Sequence, residues 1–234
     1  VKVSVVVPTY QEAKGIEAFL TQLHRQTLPR PEYEVIVVDG ESRDGTREIA
    51  SRYADRVIVQ TTPGIGGARN DGVRIARAEI IATTDADCRI PPDWLEDIVE
   101  DFQDPEVVAV CGPDGPFDGG LKARFIYFFV RGIIRLAALA GLYGTGGTNS
   151  AFRKDAFLAV GGYRNLPHSD DVDVGIRIRA KGRIVYDSRL YVEISVRRLE
   201  KNGYMRTLFL WLQGDLKLLA GKPIDAKEYA RQEY

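Results

Sequence analysis

The chain has 234 residues, enough for one large domain or one domain with an appendage, and enough to bury roughly 70% of its unfolded surface. An apolar fraction of 44% and a charged fraction of 28% exclude a disordered chain, a collagen and a disulfide scaffold. The 32 Lys and Arg are balanced by 33 Asp and Glu, a net charge of −1, which argues against a polyanion-binding surface over the whole molecule and leaves room for a local basic patch.

The first half alternates strand and helix signals. Val3–Val7 is a β-branched strand run, and Ile16–Gln26 carries apolar residues at helical spacing. Glu34–Asp39 predicts a second buried strand, with Ser42 or Asp44 capping a helix that runs to Tyr53. Val57–Gln60, a helix around Gly67–Arg77 and Ile80–Thr84 continue the alternation; Pro91 and Pro92 open a helix at Asp93–Phe102, and Val107–Cys111 predicts a further strand. Nearly continuous apolar strands separated by helices indicate a parallel sheet covered on both faces, joined by right-handed crossovers.

The second half is less regular. Leu121–Leu142 predicts a long helix, followed by a glycine-rich turn (Gly144, Gly146, Gly147) and a short strand near Ser150–Arg153. The acidic segment Asp170–Asp173 leads into a helix ending near Gly182; Ile184–Asp187 and Tyr191–Val196 predict strands, and Tyr204–Ala220 a final amphipathic helix. The expected organisation is a catalytic unit over residues 1–200 with a helical extension over 201–234. Val3–Val7 is too short for a signal peptide and breaks at Pro8, and no uncharged stretch reaches the ~18 residues of a spanning helix. The expected location is cytoplasmic, with peripheral contact at the membrane face. Cys88 and Cys111 form no C-x-x-C pair, so neither a zinc site nor a disulfide framework is expected.

In open α/β sheets ligands sit beyond the carboxyl ends of the strands. The first strand runs into Pro8-Thr9-Tyr10-Gln11-Glu12, without the glycines of a dinucleotide fingerprint, and no P-loop sequence exists. The fourth ends in Asp85-Ala86-Asp87, two hard-oxygen carboxylates of the kind that hold Mg²⁺ or Mn²⁺ against substrate phosphates.

These segments, together with Val37-Val38-Asp39-Gly40-Glu41, Gly67-Ala68-Arg69-Asn70-Asp71-Gly72, Gly161-Gly162-Tyr163 and Asp170-Asp171-Val172-Asp173, resemble glycosyltransferase family 2 in order and spacing from Val3 to about Val196. The resemblance implies a GT-A fold, a Rossmann-like α/β architecture with a mixed, mostly parallel sheet. It also implies inverting transfer of a sugar from a nucleotide-diphosphate donor. Carried over by position, Pro8, Tyr10, Glu12 and Asp39 hold the base and ribose, and Arg69 stands near the base or phosphate. Asp85 lies at the ribose or diphosphate, Asp87 ligates Mg²⁺ or Mn²⁺ with Asp85 as second candidate, and Asp171 is the base with Asp170 as second choice.

Departures from the family pattern are visible. Gly40 stands where a second Asp is common, no His lies near Ser195, and the Q-x-x-R-W segment of processive relatives is missing, which favours transfer of a single sugar. Arg124, Arg131 and Arg135 fall on one stripe of the long apolar helix, an arrangement suited either to anionic headgroups or to a core helix with one wet edge. The character is nearest to dolichyl-phosphate mannose synthases, which implies a lipid-linked or membrane-surface acceptor and GDP-mannose as donor, with UDP-sugars close behind. Two other classes stay open: a nucleotide-sugar-binding protein without activity, and a sugar-phosphate nucleotidyltransferase. The latter needs a glycine-rich, basic first loop, which Pro8–Glu12 is not.

Overall fold

The computed structural model describes residues 1–139, 145–222 and 224; Leu142, Gly144 and residues 225–234 of the expected extension lie outside these. Seven strands form the main sheet: β1 (Val3–Thr9), β2 (Tyr33–Asp39), β3 (Arg56–Val59), β4 (Ile80–Thr83), β6 (Val107–Cys111), β8 (Ser150–Arg153) and β9 (Arg183–Tyr186). Their order is β3-β2-β1-β4-β8-β6-β9, parallel except for β8, which runs antiparallel to both neighbours. A small second sheet pairs β5 (Cys88–Arg89), β10 (Val192–Ile194) and β7 (Asp114–Pro116).

Strand alternation splits the core into two layers. Val3, Val5 and Val7, with Val35 and Val37, face α1 (Ile16–His24) and α4 (Trp94–Asp101), where Phe19, Leu23 and Trp94 are fully buried. Val6, Ile36 and Val38 face the other way, with Ala68 and Val73 of α3 (Gly64–Ile75), Phe157 of α6 (Lys154–Ala159) and Val174 of α7 (Asp170–Ile178). At Gly72 a methyl group would run into Val6, so only glycine lets α3 lie this close to β1.

Sequence and structure agree on the long elements and part over the short ones. The helix after β2, α2 (Thr46–Ala50), is preceded by Gly45 at φ 94°; Asp44 Oδ1 accepts the Thr46 N–H at 3.1 Å, whereas the Ser42 hydroxyl accepts the Gln11 N–H at 2.9 Å and so ties the first two loops together. β5, β7, α6 and α8 (Arg197–Asn202) have only two to six residues each and leave no periodicity to read.

The long apolar helix α5 (Gly120–Leu139) joins α8 and α9 (Tyr204–Leu219) through a separate small core of Ala123, Tyr127, Val196, Leu199 and Tyr204. Its arginine stripe does not form one outward row. Arg124 and Arg135 are exposed, but Arg131 is half-buried with its guanidinium 5.5 Å from the Tyr191 ring centre. The side turned to solvent is apolar: Phe125, Phe128, Ile133 and Leu136 are all well over half exposed. Among the described residues no helix is long and apolar enough to cross a membrane.

Asp71 fixes the loop ahead of α3. Its carboxylate accepts the N–H groups of Thr61 and Thr62, at 2.5 and 2.9 Å, and both threonine hydroxyls. These bonds hold its pKa down at about 2, although burial acts in the opposite direction. Asp71→Asn is expected to cost about 1–3 kcal/mol in urea unfolding at neutral pH. Because the folded pKa is depressed, the stabilisation is present above the ordinary carboxylate range near 4 and fades as pH falls towards about 2.

Candidate active site

The carboxyl ends of β1, β2 and β4 converge at one edge of the sheet, as the parallel register of β1 with both neighbours requires. Asp39, at the end of β2, is fully buried; it accepts the Thr9 hydroxyl at 3.2 Å and the Ser42 N–H at 2.8 Å, with Arg47 3.5 Å away. Pro8 is half-buried in β1 and paired with Val38, and Tyr10 is half-buried just beyond the strand. Glu12 follows, with its N–H given to the Thr46 hydroxyl at 2.9 Å.

Three non-glycine residues among those described have positive φ: Gln11 at 56°, Glu41 at 66° and Ser169 at 59°. They lie in the loops after β1 and β2 and directly before Asp170. Left-handed backbone at such positions is held only where neighbouring contacts over-determine it, and it clusters at ligand-binding loops.

Arg69 is the centre of the arrangement. Its side chain is 2% exposed, with Nη2 donating to Asp85 Oδ1 at 2.8 Å, Nη1 at 3.7 Å from Asp170 Oδ2, and the guanidinium 5.4 Å from the Tyr163 ring centre. A surface-helix charge is excluded by this burial, and Arg69 instead joins two acidic segments far apart in sequence. Small residues make the room: a methyl at Gly66 would strike the Asp170 carboxylate, and one at Gly147 would press on the Arg69 guanidinium.

Asp87 lies on the outer side of the same loop, half-buried, 3.1 Å from Arg197 Nη2; that nitrogen also stands 3.2 and 3.4 Å from the two oxygens of Glu12. The two carboxylates after β4 are therefore served by different arginines, Asp85 from within and Asp87 from outside. Burial, reinforced by Asp87, pushes the Glu12 carboxyl up to about 7, and burial with the charge of Asp85 raises Asp87. The pairing of Glu12 with Asp87 had no signal in the sequence, since only the fold brings residues 12, 87 and 197 together.

Asp170 and Asp171 open α7 and differ sharply. Asp170 is buried against Arg69, and burial pushes its carboxyl up to about 7, with the Asp171 charge adding and Arg69 opposing. Asp171 is half-exposed; its Oδ2 accepts the Gly147 N–H at 2.7 Å, its Oδ1 accepts the Val172 N–H at 2.9 Å, and its carbonyl accepts the Thr145 hydroxyl at 2.7 Å. Gly147, legible only as part of a turn in the sequence, thus helps to position Asp171. Asp114 on β7 also sits in this region, its carboxyl pushed up to about 6 by burial against the pull of Arg131. Sequence reasoning passed over it because a Pro-Asp-Gly-Pro stretch reads as a plain turn.

Seven-stranded architecture, strand-end carboxylates and the order of motifs together define a GT-A fold. A family model, glycosyl transferase family 2, matches residues 4–161, and the chain belongs to that family. Among curated relatives, the glycosyltransferase AglE of Haloferax volcanii is 39% identical over 100 residues, 40% of this chain and 33% of that protein. The dolichol-phosphate mannosyltransferase of Pyrococcus furiosus is 31% identical over 114 residues, 47% of this chain and 32% of that protein. The matched part of the chain thus spans about a third of the length of each of these relatives. Among solved structures, a mannosyltransferase from Pyrobaculum calidifontis in complex with GDP-Man and Mn²⁺ superposes with a TM-score of 0.78 at 26% identity, over 95% of this chain and 65% of that one.

Burial also pushes Asp215 and Asp101 up to about 6. Together with Asp170 and Asp114, the folded chain holds protons that the unfolded chain releases near pH 4. Each raised group contributes stability that is full below the unfolded pKa and lost as pH rises through the folded one. The thermal midpoint is expected to be higher near pH ~5.5 than near pH ~8 and the difference to shrink in Asp170→Asn; a midpoint that rises over that range contradicts these assignments.

Proposed function

We propose that this chain is an inverting glycosyltransferase that moves one sugar from a nucleotide-diphosphate donor, GDP-mannose or a UDP-sugar, to a hydroxyl or phosphate acceptor at a membrane surface. The observation that carries the reading is that buried Arg69 joins two acidic segments: Asp85, in the turn that also holds Asp87, and Asp170, next to half-exposed Asp171 at the start of α7. The first has the chemistry of a donor site, the second that of a base.

Asp39, with Pro8 and Tyr10 beside it, suits the ribose and base of the donor. Arg69 acts from beneath, fixing Asp85 on one side and Asp170 on the other. The acceptor oxygen attacks C1 from the face opposite the diphosphate, Asp171 takes its proton, and the C1–oxygen bond to the leaving diphosphate breaks with the electron pair going to the diphosphate. A guanidinium already bridges Asp87 and Glu12, so the pair suits a cation, and their hard oxygens fit Mg²⁺ or Mn²⁺. Among the described residues no group of three or more His, Cys, Asp or Glu could hold a metal ion by itself, so most ligands come from donor phosphates and water. When bound, such a cation supplies charge neutralisation at the diphosphate. The mannosyltransferase complexed with GDP-Man and Mn²⁺ supports this reading.

For the acceptor, α5 and α9 present apolar outer faces: Phe125, Phe128 and Ile133 on one, Met205, Phe209 and Leu216 on the other. Basic residues Lys122, Arg124 and Arg206 flank them, and α5 contains no acidic residue. This is the composition of helices that lie in a lipid interface. Residues 1–200 form the catalytic unit in this reading, and the extension from residue 201 adds α9 to that face.

Thermal unfolding with GDP, UDP and NAD, each with and without Mn²⁺, tests the donor site. A diphosphate at about a hundred times its Kd adds about 2.7 kcal/mol, and this shift should need Mn²⁺, fail with NAD and vanish in Asp87→Asn. Asp171→Asn is expected to lower turnover by about 10²–10⁴-fold while retaining the nucleotide shift. Flotation should show the chain on vesicles rich in anionic lipid and lose it with Phe125→Ser/Phe209→Ser; no difference between anionic and neutral vesicles rejects the surface reading.

A further inference from the structure

The chain following β10 is tied down at one point. Asp118 accepts the Ser195 hydroxyl and the Val196 N–H, both at 2.7 Å, and Val196 is fully buried among Leu199, Tyr204 and Ala123. The next residue, Arg197, starts α8 from this anchored backbone with a side chain 44% exposed. One nitrogen of its guanidinium reaches both Glu12 and Asp87. Those carboxylates come from the ends of β1 and β4, and without a cation between them they repel. With no histidine in β10 or α8, the late segment's contribution to this site is the guanidinium.

A divalent cation and a guanidinium draw on the same carboxylate lone pairs, and their like charges oppose joint occupancy. We propose that Arg197 is the resident counter-ion of the cation site: it holds Glu12 and Asp87 before the donor arrives, yields them to the divalent cation, and turns on its fixed backbone to the donor diphosphate. The inference rests on the donor-site reading above and adds an exchange to it. A tethered cation competes at high effective concentration, so the metal alone binds weakly. A diphosphate offers Arg197 a new anion and releases the carboxylates, which makes metal and nucleotide binding mutually reinforcing. Because Asp118 and Val196 fix the backbone, the exchange needs rotation of one side chain and no loop opening.

The test is titration of the full chain with Mn²⁺, following the free ion by electron paramagnetic resonance, alone and with saturating GDP or UDP. Arg197→Gln should bind Mn²⁺ alone about tenfold more tightly than the unmodified chain, and the factor by which nucleotide tightens Mn²⁺ should fall towards one. Arg197→Lys, which keeps the charge without the planar fork, should lie between and guards against a folding defect in the glutamine variant. A merely structural arginine would leave Mn²⁺ affinity unchanged or lower it. If Mn²⁺ binding is unchanged or weaker in Arg197→Gln while Asp87→Asn still abolishes it, the counter-ion role is overturned and the donor site stands. If no Asp87-dependent Mn²⁺ binding is found even with nucleotide, both are overturned.

Discussion

A guanidinium buried to 2% exposure is the constraint on which the rest of this site depends. Arg69 cannot shed its charge, and an unpaired charge in the interior costs more than a domain can spare. The fold meets it with Asp85, Asp170 and the face of Tyr163, drawn from three segments up to about a hundred residues away in the chain. Removing one partner of such a set typically costs about 3–5 kcal/mol, so Arg69 locks the turn after β4 to the start of α7. The small residues around it follow from the same requirement: Gly66 and Gly147 leave the space that the guanidinium and its carboxylates occupy.

The arrangement sorts carboxylates by partner. Asp39 is held by a hydroxyl, a backbone N–H and Arg47, Asp85 and Asp170 by Arg69, Glu12 and Asp87 by Arg197, and Asp171, among the described residues, by backbone N–H groups. Asp171 is the member of its pair with more solvent access and, among the described residues, no ion pair, which suits the proton-accepting role proposed for it. Asp170, one residue earlier, is spent on Arg69. Two adjacent residues of one type thus receive different environments from their surroundings.

Much of this was legible in the sequence. Val3–Val7, Glu34–Asp39 and Val107–Cys111 stand out because buried parallel strands are continuous apolar runs, and the motifs at their ends mark the ligand edge. What stayed hidden was pairing. Nothing in the spacing of residues 69, 85 and 170, or of 12, 87 and 197, says which arginine meets which carboxylate. Periodicity likewise revealed the arginine stripe on α5 but not which face the body would take. Ala123 and Tyr127 fill the gap beside Val196 and Tyr204, and this turns the phenylalanines outward.

The outer face of α9 is mechanically close to the candidate base. At Gly214 α9 packs on the turn before α7, where a side chain would run into the His168 ring and the Ser169 hydroxyl. Ser169, in its left-handed conformation, is the residue directly before Asp170. The opposite side of α9 carries Met205, Phe209, Leu212 and Leu216, all more than half exposed. One helix therefore touches the turn that launches the acidic pair with its inner face and offers an apolar surface with its outer face. In a rigid, close-packed body a shift of α9 cannot be absorbed at a glycine contact, so the position of that surface and the geometry at the start of α7 are set together.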